Sequence, residues 1–346
     1  MRFRWAWCCV TLGEGKGMLA AMTCRVGCPT AVAPHRVAGR LRRGLSLAVL
    51  AILAASGASR PALGCACGCG VFDVQAGAMF PNRPGTRFWL EYDTMDQNHN
   101  QSGIHAAPAA NNPDKEIGTV FVKAGVQYMV SRSWGIMGEI PYWFRDFTTT
   151  GANNVVGTFH HSALGDIQLM GMYTGFAPDM SSGLTFGLKL PTGDSTYANF
   201  DPDTEIGSGS TDLLLGGYHT GSLAKANRLS YFVNGRYDQP FLHPHSYRPG
   251  PEFDVTAGIS YNNWRIGKVS VQPQLQLIGS LRGRDGGPGA DPADSGYTRL
   301  LVSPGVVTRV GHYWCDADVA LPLYQNVNGN QLVADYLLKF TVGREF

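Results

Sequence analysis

The sequence predicts an all-β protein, an antiparallel transmembrane β-barrel of twelve strands with long extracellular loops and short periplasmic turns. Apolar and polar residues alternate from residue 87 onward, and long and short connections also alternate. Glycine supplies 44 of 346 residues, nearly twice its ordinary share of roughly 7%. Beyond residue 70 no apolar run approaches the roughly 18 residues that a spanning helix needs. These features favour strands and turns over membrane helices.

The first 64 residues contain a targeting region. A basic stretch at 40–44 precedes an apolar stretch at 45–55, and small residues lead to a candidate cleavage site at 62–64. This order of parts is that of a secretory signal peptide. The signal begins unusually late, which favours a miscalled start. We therefore interpret 1–64 as an N-terminal extension followed by a signal peptide.

Residues 65–86 are expected to form a short periplasmic segment before the barrel, which we place at 87–346. Cys65, Cys67 and Cys69 occur at every second position of this segment. Thiolates suit Cu(I) or Zn²⁺, so the three cysteines are a candidate metal site. A disulfide tether or loose thiols in an oxidising compartment are the alternative explanation, and Cys65 is also a candidate for lipidation. We predict no resident cofactor.

The charge balance argues against nucleic acid as a partner. Residues 1–64 hold nine of the 28 basic residues and one of the 26 acids, which leaves 19 basic and 25 acidic residues and a net charge of −6. A chain with this balance has no basic footprint for nucleic acid.

Alternation with a period of two predicts each strand. In one segment Val120, Val122 and Ala124 alternate with Phe121 and Lys123, so the two sets point to opposite faces. The same criterion places the twelve strands at 87–94, 117–130, 134–147, 163–176, 183–192, 211–222, 228–238, 252–261, 266–280, 298–309, 313–324 and 333–346.

The lengths of the connections are the strongest evidence for a membrane barrel. Long polar gaps are predicted at 95–116, 148–162, 193–210, 239–251, 281–297 and 325–332. Short gaps separate them at 131–133, 177–182, 223–227, 262–265 and 310–312. Outer-membrane barrels have long loops at one end and short turns at the other, and closure leaves no unpaired edge in lipid. A periplasmic β-sandwich is the alternative.

The polar face of the strands becomes the lumen of such a barrel, and outward aromatic residues near strand ends form girdles. The polar face carries charges of both signs, at Lys123, Glu139, Arg145, Asp166, Lys189, Arg236, Asp254, Arg299, Arg309, Asp316, Asp318, Asp335 and Lys339. Such charges should pair across the lumen, because unpaired buried charge is costly. From face assignment alone we predict that the path is lined by Glu139, Arg145, Lys189, Arg236, Asp254, Arg299 and Asp316. A structural plug of salt bridges is the alternative reading of these residues.

The C-terminus resembles the signal that the barrel-assembly machinery reads in outer-membrane proteins. Phe346 is a terminal aromatic residue, and Val342 and Phe340 lie at alternate positions before it, although Arg344 departs from the pattern. The implied partners are this machinery, through Phe346, and the lipid and lipopolysaccharide of the outer membrane.

Three segments resemble a group of Gram-negative outer-membrane transporter proteins related to the family of the meta-cleavage pathway of phenol degradation. They are Cys67-Gly68-Cys69-Gly70-Val71-Phe72-Asp73-Val74, Gly183-Leu184-Thr185-Phe186-Gly187-Leu188-Lys189-Leu190-Pro191-Thr192-Gly193-Asp194 and Gly207-Ser208-Gly209-Ser210-Thr211-Asp212-Leu213. The resemblance implies a porin-like barrel in the uptake of hydrophobic or aromatic compounds. It carries over no ligand residues.

Few residues suggest enzymatic chemistry, and we predict that the protein is not an enzyme. His99 with Ser102, and 160–162 with its two histidines and a serine, faintly resemble the segments of outer-membrane phospholipases, but they fall in predicted loops with no third orienting group. The loop histidines at 243–245 could join those at 160–162 in a metal site. The acids at 201–205 could bind Ca²⁺. For the loop histidines and for these acids, simple exposure to solvent is the better explanation.

The sequence therefore predicts passive passage of a small solute, of hydrophobic or aromatic character, across the outer membrane. The competing interpretation is a non-conducting barrel that serves as a metal-handling or structural platform through Cys65, Cys67 and Cys69.

Overall fold

The computed structural model describes residues 80–151, 154–223 and 228–346. Within these ranges one single-turn 3-10 helix, Ala109–Asn111, accompanies a chain that is otherwise strands and connections. The strands are β1 Gly85–Gly103, β2 His105–Ala106, β3 Asp114–Met129, β4 Trp134–Thr150, β5 Val156–Leu164, β6 Ile167–Tyr173, β7 Ser182–Leu190, β8 Thr211–Ser222, β9 Leu229–Leu242, β10 Glu252–Tyr261, β11 Trp264–Ile266, β12 Val269–Arg282, β13 Tyr297–Val310 and β14 Tyr313–Glu345. In the part of the chain described, no helix is long and apolar enough to span a membrane.

The strands form one closed antiparallel sheet. Hydrogen bonding runs through β10, β9, β8, β7, β6, β4, β3, β1, β14, β13 and β12, and β12 pairs back onto β10. Eleven of the described elements therefore close the ring, while the short strands β2, β5 and β11 extend it at its ends. Strands β5 and β6 both pair with β4 and are separated only at Gly165 and Asp166. The prediction of an all-β, antiparallel, closed barrel is confirmed.

The long element β14 is a hairpin that supplies two wall segments. Its first part, from Tyr313 to Val327, pairs with β13, and its last part, up to Glu345, pairs with β1. The backbone N–H of Glu345 donates to the carbonyl of His312 at 2.9 Å, so the two arms lie side by side. With both arms counted, the described wall has the twelve segments expected from the sequence.

Each strand separates a buried inner face from an exposed apolar outer face. On β1, Trp89, Glu91 and Asp93 are at most 5% exposed, whereas Leu90 and Tyr92 between them are 53% and 45% exposed. The other wall strands repeat this pattern, and their outward positions carry mainly leucine, isoleucine, valine and aromatic residues. A belt of apolar side chains this extensive is typical of a surface covered by lipid.

The connections separate into two ends. The end that we call the loop end carries the connections 104–113, 151–155, 191–210, 243–251 and 283–296. The opposite turn end carries the shorter connections 130–133, 262–263, 267–268 and 311–312, together with 174–181 and the partly described link between β8 and β9.

Several strands extend further toward the loop end than the sequence predicts. Strand β1 continues to Gly103, β5 occupies 156–162 of the expected loop 148–162, and the expected long loop 325–332 is a tight hairpin turn within β14. These residues have no clear apolar alternation in the sequence. Alternation therefore predicts only part of the length of these strands.

The structure contradicts the predicted inward position of Asp335. It was expected to point inward, but its side chain is 71% exposed on the outer face. The register between β1 and β14 shifts between Met95 and Gln97, opposite Leu337 and Ala334. Such a bulge inserts extra residues into one strand and reverses the facing of the side chains beside it.

The turn end of the barrel interior is filled by apolar side chains. Phe80 enters this region before β1 and stacks on Tyr218, with ring centroids 4.5 Å apart. The buried cluster consists of Phe80, Trp89, Met129, Met137, Met170, Met172, Met180, Leu214, Tyr218, Phe232, Val307 and Trp314. The indole of Trp89 covers Gly125, where an added Cβ would lie only 2.0 Å from its Cε2 atom, so the close approach requires glycine. Further toward the loop end, smaller apolar clusters, such as that of Phe121 with Trp143, alternate with polar and charged groups.

Candidate functional site

All seven side chains predicted from face assignment occupy inward positions of the wall. Six of them are at most 9% exposed, namely Glu139, Arg145, Arg236, Asp254, Arg299 and Asp316. The Lys189 side chain is 17% exposed. They do not form one cluster, because they are spread over six strands and contact different neighbours.

Lys189 is the centre of one ion-pair group. Its Nζ lies 2.5 Å from Oδ2 of Asp212 and 3.0 Å from Oδ2 of Asp238. The hydroxyl of Ser210 donates to the other oxygen of Asp212, at 2.5 Å. One half-buried lysine therefore compensates two carboxylates on β8 and β9.

A second polar group lies across β9, β10, β12 and β13. Arg236 and Asp254 are directly opposite each other on neighbouring strands, and the Ser280 hydroxyl donates to Asp254 at 2.5 Å. The guanidinium of Arg299 lies 3.8 Å from the centroid of the Tyr297 ring. Arg299 thus contacts an aromatic ring, whereas Arg236 lies opposite a carboxylate on the neighbouring strand.

The connection 191–210 folds into the loop end of the barrel. Nη1 of Arg145 donates to the carbonyl oxygens of Thr204 and Glu205, at 2.5 and 3.0 Å. Asp166 accepts hydrogen bonds from the backbone N–H groups of Gly193 and Ser208, at 3.0 and 2.8 Å. We call residues 191–210 the constriction loop, because these contacts hold it across the interior.

An aromatic stack fixes the start of the constriction loop against the wall. The His161 ring lies parallel to Tyr197, with centroids 3.8 Å apart, and its Nε2 lies 3.1 Å from Asp194. Phe200 packs edge-on against Phe147 of β4. Because rings bury large areas at low entropic cost, this stack stabilises the folded-in position of the loop.

Burial changes the acidity of two carboxyl groups in these connections. It raises the pKa of Glu205 in the constriction loop to about 7, against an ordinary value of 4.5, and nearby Asp194 raises it further. It also raises the pKa of Asp294, in the connection 283–296, to about 6. The position of the constriction loop should therefore depend on pH near neutrality.

The constriction loop and the connection 243–251 cover a cavity of about 140 Å³ inside the barrel. Its apolar lining comes mainly from Phe121, Trp143 and Tyr247, and the Phe121 and Trp143 rings stack with centroids 4.5 Å apart. The charged residues that line it are Lys123, Asp166, Lys189, Asp203, Glu205, Asp212, Arg236, Asp238, Glu252, Asp254 and Arg282. Seven acids and four bases make this lining negative.

The cavity contains three of the seven predicted lining residues, Lys189, Arg236 and Asp254. Arg145 instead holds the constriction loop. Sequence reasoning missed Glu91 and Asp93, which are buried inward residues and alternate with the exposed Leu90 and Tyr92; that alternation could have identified them. No sequence signal indicated that residues 200–208 enter the lumen.

The histidine candidates do not converge. His160 and His161 lie on β5 rather than in a loop, and His160 faces outward with its Nδ1 2.6 Å from Asp146. His99 and Ser102 likewise lie on β1, since this strand extends to Gly103. His243 bonds the carbonyl of its neighbour Pro244 at 2.9 Å.

Metal-site predictions find no support among the described residues. In those ranges no three or more His, Cys, Asp or Glu side chains are arranged to hold a metal ion, including the acids at 201–205. Cys315 is a free, half-buried thiol. Cys65, Cys67 and Cys69, the signal peptide and the remainder of 1–79 lie outside the described residues.

A closed antiparallel barrel with an apolar outer belt and a polar interior defines an outer-membrane β-barrel protein. The chain belongs to the family described as "Putative MetA-pathway of phenol degradation", whose model matches residues 115–321. The sequence-based resemblance to this family is confirmed.

A solved outer-membrane channel shows the same fold. The chain is similar to the COG4313 outer membrane channel from Pseudomonas putida F1, with a TM-score of 0.59, 13% identity, and coverage of 79% of this chain and 100% of that one. It also resembles the β domain of the Bordetella autotransporter BrkA, with a TM-score of 0.49, 11% identity, and coverage of 76% and 100%. No curated protein matches the sequence.

Proposed function

We propose that the protein is a passive outer-membrane channel for a small neutral solute about the size of one aromatic ring. The cavity enclosed by the closed wall carries this proposal. Its volume of about 140 Å³ is close to that of an engineered cavity of roughly 150 Å³ that binds benzene. The family description refers to phenol degradation, and Phe121 and Trp143 offer ring faces to such a solute.

In this proposal the predicted lining residues have different roles. Lys189, Arg236 and Asp254 border the cavity and present polar groups to a phenolic hydroxyl. Arg145 positions the constriction loop and so sets the width of the entrance. Glu139, Arg299 and Asp316 complete the polar inner face elsewhere along the wall.

Diffusion down a gradient is the simplest mechanism for this architecture. Every element of the described chain belongs to the barrel wall or to its connections. The apolar belt contacts outer-membrane lipid, and the loop end faces lipopolysaccharide. Recognition of Phe346 by the barrel-assembly machinery stays a prediction.

Planar-bilayer recording and liposome swelling test the proposal. We expect the purified protein to conduct ions and to admit phenol faster than a disaccharide, because the cavity accepts one ring. Arg236→Glu should change the single-channel conductance about twofold or more, since charged lining groups set ion passage. The matched control is Arg265→Glu. Arg265 is an exposed residue of β11 near the turn end, so this change should leave the conductance unaltered.

A barrel that neither conducts nor admits phenol would contradict the channel. If the thiols of such a silent barrel titrate with Cu(I) or Zn²⁺, the result would favour the platform built on Cys65, Cys67 and Cys69.

A further inference from the structure

Methionine side chains are concentrated on one part of the inner face at the turn end. Met129 on β3, Met137 on β4, and Met170 and Met172 on β6 are all at most 7% exposed and belong to the buried turn-end cluster. Strand β4 pairs with both β3 and β6, and Met137 lies directly opposite Met170. We call these four residues the thioether patch. Thioether sulfur is a soft ligand, which favours soft cations such as Cu(I) over Mg²⁺ or Ca²⁺.

One amide group brings two of these sulfurs together. Nε2 of Gln127, an inward residue of β3, lies 3.2 Å from Sδ of Met172 and 4.0 Å from Sδ of Met137. A third sulfur, Sδ of Met129, lies over Gly135, where an added Cβ would be only 2.3 Å from it. Gly135 pairs with both Met129 and Met172, so these two methionines lie on either side of a position without a side chain.

The Gln127 amide is incompletely satisfied in this apolar cluster. The residue is 1% exposed, and its Oε1 has no hydrogen-bond partner within the described structure. Methionines alone would be explained by packing, because their flexible side chains fill irregular gaps. Packing does not explain a buried amide oxygen without a donor, which costs free energy that a ligand to this oxygen recovers. Rotation of the amide by half a turn exchanges Nε2 and Oε1 and directs the oxygen toward both sulfurs.

We propose that Met137, Met172 and Gln127 form a binding site for one soft monovalent cation, Cu(I) or Ag⁺. Two thioether sulfurs and an amide oxygen suit such an ion, since methionine and glutamine both serve as ligands at copper sites. All three ligands are neutral, so burial of a divalent ion among them would leave more charge uncompensated.

The charges around the thioether patch are compatible with one positive ion. Glu139 is the next inward residue of β4 after Met137 and is 2% exposed. Arg87 lies opposite Gln127 on β1, but its guanidinium forms an ion pair with Glu345 at 3.0 Å. Gln127 also borders a small depression at the turn end, which offers an ion a route from that side.

Silver binding to the full-length protein tests the site. All eight cysteines are first changed to serine, so that thiols do not contribute. In detergent with nitrate as the anion, we expect calorimetric titration to show one Ag⁺ bound per chain. The unfolding temperature should rise by about 5 °C when free Ag⁺ exceeds its dissociation constant 100-fold. Sodium nitrate at the same concentration should have no such effect.

Methionine variants locate the ion. The double variant Met137→Leu, Met172→Leu nearly conserves side-chain volume and should weaken Ag⁺ binding about 100-fold or more. Gln127→Leu should weaken it by about tenfold or more. The matched control is Met95→Leu, because Met95 is 3% exposed but belongs to a different buried cluster, and this change should leave the affinity unaltered.

X-ray absorption at the silver edge gives a readout that requires no methionine variant. In the cysteine-free protein the bound Ag⁺ should have sulfur as well as oxygen neighbours. Absence of binding, or an affinity that the double variant leaves unchanged, overturns the site. If the double variant does not fold, nitrogen and oxygen neighbours alone overturn it, since they place the ion on histidines or carboxylates. Neither measurement requires a conducting pore, so failure of the channel and failure of this site are distinguishable.

Discussion

Replacing Lys189 with methionine is expected to lower the free energy of unfolding by about 3–5 kcal/mol, as breaking a buried ion pair does. The change leaves the carboxylates of Asp212 and Asp238 next to each other without their shared cation, at 2.5 and 3.0 Å from the lost Nζ. Urea unfolding in phospholipid vesicles, or the temperature at which the barrel unfolds on SDS gels, measures the effect.

Two further variants give this measurement its controls. Lys268→Met alters an exposed lysine at the turn end and should change stability little. Adding Asp212→Asn and Asp238→Asn to Lys189→Met should recover most of the loss, because neutral partners need no counter-charge. Wild-type stability in Lys189→Met would mean that lumenal water solvates the two carboxylates.

Replacing Arg145 with alanine is expected to raise single-channel conductance about twofold or more. The Arg145 side chain is 2% exposed and donates hydrogen bonds to the carbonyl oxygens of Thr204 and Glu205 in the constriction loop. Its loss frees the constriction loop and widens the entrance, since hydrogen bonds from a charged donor contribute roughly 1.5–3 kcal/mol. Arg265→Ala, at an exposed position, is the control. Unchanged conductance would show that the aromatic stack and the hydrogen bonds to Asp166 hold the loop without Arg145.

The same loop offers an independent test through pH. The pKa of Glu205 is raised from 4.5 to about 7, so the folded-in loop favours the protonated acid. This contribution is complete below about pH 4.5 and is lost as the pH rises through about 7. Conductance should therefore increase from acidic to alkaline pH in the wild type, and Glu205→Gln should remove that increase. A pH dependence that persists in Glu205→Gln would show that another titratable side chain causes it.

The sequence is informative about the wall because one side of it must be apolar. Alternation such as Leu90 and Tyr92 against Glu91 and Asp93 identified the twelve segments and the inner face of most charged residues. A regular strand has a period of two whatever its neighbours are, so this part of the wall could be predicted without knowledge of the strand pairing.

The interior contacts could not be predicted in this way. The bulge that turns Asp335 outward depends on the register with β1, and the contact of Arg145 with Thr204 joins residues 59 positions apart. The constriction loop has no periodic pattern, because its backbone is held by specific hydrogen bonds rather than by a repeating environment. Sequence patterns thus assigned residues to a face, whereas the partners of those residues required the three-dimensional fold.

Solubility without detergent tests most directly whether lipid covers the apolar outer belt. We predict that the purified protein is folded and monodisperse in detergent, with a β-rich circular dichroism spectrum, and aggregates once the detergent is withdrawn. Exposed side chains such as Phe88, Leu90 and Phe186 would then lose their apolar surroundings. A protein that remains folded and monodisperse in plain buffer would contradict the membrane barrel and the lumenal path derived from it.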